Sequence, residues 1–235
     1  MSRLAFTDLR TAAYCPRKLY YVRQEDDREP PPRVPQIRAL ATQYERLLEA
    51  SDTALAGEPI ETTPSVYRAQ LCHTRDRLQD TTCSRPESEQ PQNRWEALCS
   101  PAETDVFVAG RDCHGIVHKI LTDPLEPVLI SAGSPPDQGV WETQRVHAVA
   151  AAKALAWDRG EPVGGAWLEF PAYGVIRHVP MTTRRKGEYR RVLRTVQELD
   201  GPPPRLHNRE KCHACVYADT CGVRTRSLRS LLGFG

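Results

Sequence analysis

Lys211-Cys212-His213-Ala214-Cys215-Val216-Tyr217-Ala218-Asp219-Thr220-Cys221 carries three cysteines spaced C-x2-C-x5-C. A tetrathiolate metal centre needs one more ligand. Cys15, in Ala13-Tyr14-Cys15-Pro16-Arg17-Lys18, supplies it from the opposite end of the chain. A centre of this kind ties the two ends together around everything between them. Closing so long a loop costs about 4–5 kcal/mol, and thiolate–metal binding supplies about 10–16 kcal/mol, with structural zinc as the guide. The centre would then be part of the folding free energy. Zinc and an iron–sulfur cluster both accept four thiolates, and spacing does not choose between them. Ordinary buried cysteines are the plain alternative, but a polar loop containing His213 and Asp219 is unlike a core. Disulfides are the third reading. Met1-Ser2-Arg3-Leu4 runs into a helical pattern with no long apolar stretch, so a cytoplasmic chain with reduced thiols is expected. Cys72, Cys83, Cys99 and Cys113 are scattered and read as ordinary small residues.

The 235 residues are 40% hydrophobic, enough to build a core. No run approaches the ~18 apolar residues of a membrane helix, so no membrane partner is expected. The net charge of +2 hides an asymmetry, because residues 176–235 hold 13 Lys and Arg against 5 Asp and Glu. That end suits a polyanion.

Residues 6–22 read as a helix interrupted at Pro16, directly after Cys15. Residues 25–35, rich in proline, read as a loop, and 38–50 as a second helix. Residues 51–64 look irregular, 65–78 helical, and 79–93 a polar connection. The centre changes character. DVFVA (105–109), GIVHKIL (115–121) and PVLISA (127–132) are short β-rich runs between turn residues. Residues 142–158 form an alanine-rich amphipathic helix. Strands at 165–170 and 175–180 follow, joined by Pro171-Ala172-Tyr173-Gly174, and then a basic helix at 184–199. This order predicts an α/β fold, a mixed sheet flanked by helices.

The early Cys-Pro-Arg segment, the strand-and-helix core and the terminal cysteine triplet together resemble the CRISPR-associated RecB-type exonuclease family (CRISPR-associated protein four). The resemblance covers nearly the whole chain, in order. It implies a PD-(D/E)XK (RecB-like) nuclease core whose N- and C-terminal ends are joined by a four-cysteine [4Fe–4S] cluster, with Cys15, Cys212, Cys215 and Cys221 as ligands. It implies three regions: 1–100, helical, with one cluster cysteine; 101–200, the nuclease-like core; and 201–235, the iron–sulfur segment with a basic tail.

The catalytic half departs from that family. Such nucleases hold divalent metal with an Asp on one strand and the Glu of Glu-x-Lys on the next. Here His118 stands at the Asp, Leu129 at the Glu and Ser131 at the Lys, while Gly133 and Pro135 match. A helical His-Glu pair becomes Tyr44-Glu45. Of a Gln-x3-Tyr, Gln144 remains and Ala148 replaces the tyrosine. Leucine cannot ligate a metal and serine lacks the lysine's charge, so nuclease activity is expected to be reduced or lost. Mn²⁺ or Mg²⁺ is expected only if the nuclease is active.

Arg184, Arg185, Lys186, Arg190, Arg191 and Arg194 are the expected DNA-binding face, a solvated helix face being the alternative. The tail Arg224-Thr225-Arg226-Ser227-Leu228-Arg229 adds further cations. Expected partners are DNA, as single strands or ends, and the CRISPR spacer-acquisition integrase. Two other readings stand. One is an active metal-dependent single-stranded DNA exonuclease with a relocated site, using His118 with Asp112, Asp123, Glu126 or His114. The other is a redox or metal sensor that releases DNA when the cluster is lost.

Overall fold

The computed structural model describes residues 3–25, 31–79, 93–206 and 208–222. The chain begins with β1 (Leu4–Ala5), α1 (Phe6–Tyr14) and α2 (Pro16–Val22). A helical region follows: α3 (Arg33–Leu40), α4 (Tyr44–Glu49), α5 (Asp52–Ala56), α6 (Pro64–Gln79) and α7 (Arg94–Cys99). The central strands are β2 (Glu103–Ala109), β3 (Cys113–Thr122) and β4 (Leu125–Ile130). Then come α8 (Glu142–Arg159), β5 (Gly165–Phe170), β6 (Val175–Pro180), α9 (Thr183–Gln197) and α10 (Arg209–His213).

The strands form one six-stranded mixed sheet. β2, β3 and β4 are an antiparallel meander, α8 crosses over, β5 returns parallel to β4, and β6 pairs antiparallel with β5. β2 occupies one edge of β3 along its length. The other edge is shared. β1 runs parallel to the start of β3, with Leu4 opposite Cys113, and β4 joins only from Lys119, opposite Val128. Between them the strand edge lies open at residues 115–118.

The strand also changes face there. Val117 and Ile120 both lie in the core on the α8 side, although a regular pleat would put them on opposite faces. Their shared side requires a break between them. Asp105, opposite His118 by register, has φ +50° and the pair is missing from the ladder. A non-glycine residue in this region marks strain.

Helices cover both faces. On one, α1, α8 and α9 bury Leu9, Val149, Leu155 and Tyr189 against Val117, Ile120, Leu129 and Leu168. Five fully buried alanines of α8, Ala148, Ala150, Ala151, Ala152 and Ala154, let that helix lie close to the sheet. On the other face α4, α6 and α7 bury Tyr44, Leu47, Tyr67, Leu71 and Trp95 against Leu121, Val128, Trp167 and Ile176.

The interruption expected at Pro16 is present. Cys15 is extended (φ −164°, ψ 118°) between α1 and α2, as a residue preceding proline prefers, and Pro16 opens α2 where its missing N–H costs nothing. The single helix expected over 38–50 is instead two. α3 starts earlier, at Arg33, within the expected loop, and the chain turns between Leu40 and Tyr44. The reason is Lys119, which is 1% exposed. Its Nζ donates to the carbonyl of Ala41 (2.8 Å), to that of Leu98 (2.7 Å) and to Glu169 Oε1 (2.8 Å). The turn carbonyl is therefore held by the sheet rather than by the next turn of helix. The stretch expected to be irregular contains α5, capped by Ser51, and α7, capped by Asn93, was not anticipated. Most of the polar connection at 79–93, together with Cys83 and the arginines at 224–229, lies outside the described residues.

Candidate functional site

Cys15, Cys212, Cys215 and Cys221 line one pocket, where the break between α1 and α2 meets the C-terminal segment. Hydrogen bonds and rings close the two ends of the chain around it. Tyr14 Oη donates to the carbonyl of Lys211 (2.6 Å), and Arg17 donates to that of Pro203 (2.9 Å). Tyr21 and Tyr217 stack with centroids 5.7 Å apart, and Tyr217 Oη meets Glu25 at 2.7 Å. Arg17, Lys18, Arg205 and Lys211 share the pocket wall with the thiols. The Nε of Arg17 is buried and finds no hydrogen-bond partner among the described residues, an arrangement that favours an acceptor in the pocket.

The thiols perturb one another. Burial first, then Cys15, Cys221 and Cys215, push the Cys212 thiol up, while Arg205 opposes. Burial, then Cys215, Cys212 and Cys15, raise the Tyr14 phenol. Four thiolates together need a compensating cation. Among the described residues no group of three or more His, Cys, Asp or Glu side chains is drawn in tightly enough to hold a metal ion. A single zinc needs four sulfurs at ~2.3 Å from one point. A multi-iron cluster needs each thiolate only on its own iron, so its sulfurs stand further apart. The residues that could hold a metal or a cluster are these four thiols, with Arg17, Lys18, Arg205 and Lys211 beside them to offset negative charge.

The positions assigned to nuclease chemistry lie elsewhere and do not form a carboxylate site. Leu129 (1% exposed) and Ala148 (0%) belong to the core on the α8 side. Ser131 Oγ accepts from Gln144 Nε2 (3.1 Å), while Gln144 Oε1 accepts the N–H of Trp141 (3.1 Å) and caps α8. Tyr44 is on the opposite face of the sheet, where its hydroxyl donates to Glu169 Oε2 (3.1 Å) beside Lys119. Burial, then Glu169, raises the Tyr44 phenol well above its ordinary range. Burial raises Glu169 as well, against the pull of Lys119 and of its hydrogen bonds to Lys119 and Tyr44.

His118 sits where β4 parts from β3. Its Nδ1 accepts the backbone N–H of Ile130 (3.1 Å), so the neutral ring must carry its proton on Nε2. Burial, then Arg38, lowers its pKa to about 4. A ring in this state donates from Nε2 and offers no free lone pair to a metal unless the Ile130 bond is lost. The other members of the relocated-site reading are not gathered around it. Glu126 is buried on the far side, accepting from Trp167 Nε1 (2.6 Å) and pairing with His178 (2.9 Å).

Around His118 stand cations that sequence reasoning did not single out. His147, from α8, packs its ring on Phe6. Burial, then Arg10, His118 and Arg38, lowers its pKa to about 3. Arg10 is itself pushed down by its surroundings and then by Arg38. The i, i+3, i+4 spacing of Thr7, Arg10 and Thr11 on α1 was legible, but only the fold brings that stripe beside β3 and α3.

On α9, Arg190, Arg191 and Arg194 are exposed. Arg184 pairs with Glu188 (3.5 Å) and Arg185 donates to the carbonyl of Pro180 (2.9 Å). Burial, then Arg145, lowers Arg185. Within the predicted basic face, Arg185 is turned onto a local acceptor while the Arg184 side chain stays 88% exposed. Among the described residues no helix is long and apolar enough to cross a membrane. Comparison of the chain with protein-family models finds no match, and comparison with curated proteins finds none.

Proposed function

We propose that this chain is a CRISPR-associated RecB-type protein that binds DNA during spacer acquisition without cutting it, on a PD-(D/E)XK-like core stapled by a [4Fe–4S] cluster. The observation that carries this reading is the meeting of Cys15 with Cys212, Cys215 and Cys221 around one pocket, across nearly the full length of the chain. The mixed sheet supports it, since the two strands that would carry Asp and Glu-x-Lys, β3 and β4, are adjacent and antiparallel. The loss of cutting rests on Leu129 being core and His118 being committed to Ile130. Without two oxygen-rich ligands, nothing here positions a divalent ion against a phosphate.

The residues divide the work. The four thiols would hold the cluster, which supplies the covalent link between the ends. Arg17, Lys18, Arg205 and Lys211 offset its charge. Tyr14 and Tyr217 hold the two ends in register before and after the link forms.

The test is anaerobic purification followed by iron and sulfide analysis, with cleavage assays on single-stranded DNA in Mn²⁺ or Mg²⁺. The expected result is about four irons and four sulfides per chain, from the [4Fe–4S] stoichiometry, DNA retention, and no cleavage. Zinc without sulfide would overturn the cluster. Metal-dependent cleavage abolished by His118→Ala would restore the relocated nuclease.

A further inference from the structure

A groove lies along α1 and the start of α2. It has room for about 250 Å³ and is lined by Thr7, Arg10, Thr11, Tyr14, Lys18 and Thr143. Tyr14 and Lys18 also line the cysteine pocket, so the two are neighbours. No carboxylate lines the groove. The nearest acids on its walls face away: Asp8 is taken by Arg23 (2.6 Å), and Glu142 turns to Lys211 (3.9 Å). The Arg10 guanidinium makes no hydrogen bond or ion pair among the described residues, and its near neighbour is another cation, Arg38. The groove thus holds cations and hydroxyls.

We propose that this groove, rather than the basic face of α9, grips the phosphodiester backbone of a DNA strand directly through Arg10 and Lys18, without a metal ion. A guanidinium with no carboxylate partner is free to take a phosphate in a bidentate hydrogen bond, and a neighbouring ammonium adds to the attraction. Thr7, Thr11 and Thr143 supply neutral hydrogen bonds to the same oxygens. The proposal rests on the DNA-binding reading above and assigns the residues that do the binding.

The test is a salt titration of single-stranded oligonucleotide binding, with chelator present, on cluster-loaded protein. Arg10→Ala is compared with Arg190→Ala/Arg191→Ala/Arg194→Ala. The groove variant should bind about fivefold more weakly, and its log K versus log salt slope should shrink by about 0.7, the value for one lost phosphate contact on a single strand. Iron and sulfide content should stay unchanged. Arg10→Lys and Thr7→Val provide milder variants, expected to keep most of the slope, should Arg10→Ala fold poorly. Full binding by the groove variants with loss in the α9 variant overturns the proposal and leaves the DNA-binding reading standing. No binding by the native protein at low salt overturns both. Binding abolished by chelator also overturns the proposal, because the phosphate would then be held through a metal.

Discussion

His118 and His147 are the residues whose state is set most strongly by the fold. Both rings are held neutral, with pKa values lowered to about 4 and about 3 by burial and then by the nearby arginines. In the unfolded chain each would titrate near ~6.5. A lowered folded pKa means the unfolded state binds more protons as pH falls, so stability is full above about 6.5 and drains between about 6.5 and 3. At pH 5 full shifts would cost about 2 kcal/mol per ring, and since both rings keep some contact with water about 1 kcal/mol each is expected. Urea midpoints at pH 7 and pH 5 measure this. His147→Gln should lose less stability on acidification than the native protein, and equal losses would show that His147 is not the group responsible. The Lys119–Glu169 pair belongs to the same scale, being 1% and 0% exposed at the side chain. Lys119→Met strands a buried carboxyl and should cost about 3–5 kcal/mol. Adding Glu169→Gln should recover part of that loss, because glutamine needs no counter-charge and still accepts from Tyr44. A double variant no more stable than the single would mean that the lost bonds to Ala41 and Leu98 dominate. In the sequence Lys119 is one charge in an apolar run, which marks it as unusual, but nothing in the run names Glu169 as its partner.

At the scale of elements, what was legible followed from local rules, and what was missed followed from contacts between distant segments. The β-rich runs became β2, β3, β4, β5 and β6, and the alanine-rich run became α8, because composition and bounding turn residues mark the strands and amphipathic spacing marks the helix. The expected helix over 38–50 failed because a buried lysine from β3 claims the carbonyl of Ala41, and no local signal carries that. The open edge of β3 escaped notice for the same reason, since it depends on where β1 and β4 dock. Gly115 shows how closely α1 is seated there. A Cβ added to it would lie 2.4 Å from the Phe6 ring. Gly115→Ala should therefore push α1 off the sheet at a cost of about 1–3 kcal/mol and weaken binding in the groove that α1 lines. Gly187, inside α9, is the contrast, because an added Cβ there meets nothing within 4 Å. Gly187→Ala should stabilise by about 0.5–1 kcal/mol through helix propensity alone. Thermal melts of the two variants read both signs, and a neutral Gly115→Ala would show that α1 yields at no cost.

At the scale of the whole molecule, the two ends meet, and they meet at the cysteines. The meeting of Cys15 with the C-terminal triplet at one pocket was legible because a four-thiolate centre would lack one ligand there and Cys15 stood at the far end of the chain. The cations around them were not, since Arg17, Lys18, Arg205 and Lys211 come from separate segments. Their placement sharpens the consequence of losing a ligand. In the proposed cluster, removing one thiolate would weaken the link and also leave positive groups facing one another across the pocket. In the proposed centre thiolate–metal binding outweighs the ~4–5 kcal/mol cost of closing so long a loop, so losing the centre removes a net contribution to folding. Cys15→Ala and Cys212→Ala should then fall by similar amounts in urea midpoint and lose iron together, despite their distance in sequence. Cys72→Ala, a half-buried thiol on α6 away from the pocket, should keep its iron. The Tyr21–Tyr217 stack and the Tyr14 hydrogen bond to Lys211 would remain, so the cysteine variants should open at the ends before the sheet melts. Hydrogen exchange resolves that order. Deprotection of α2 and α10 ahead of β3 and β5 is the expected pattern in Cys15→Ala. A Cys15→Ala protein with full iron and native protection in α2 would remove the N-terminal thiol from the centre and leave the ends held by their rings alone.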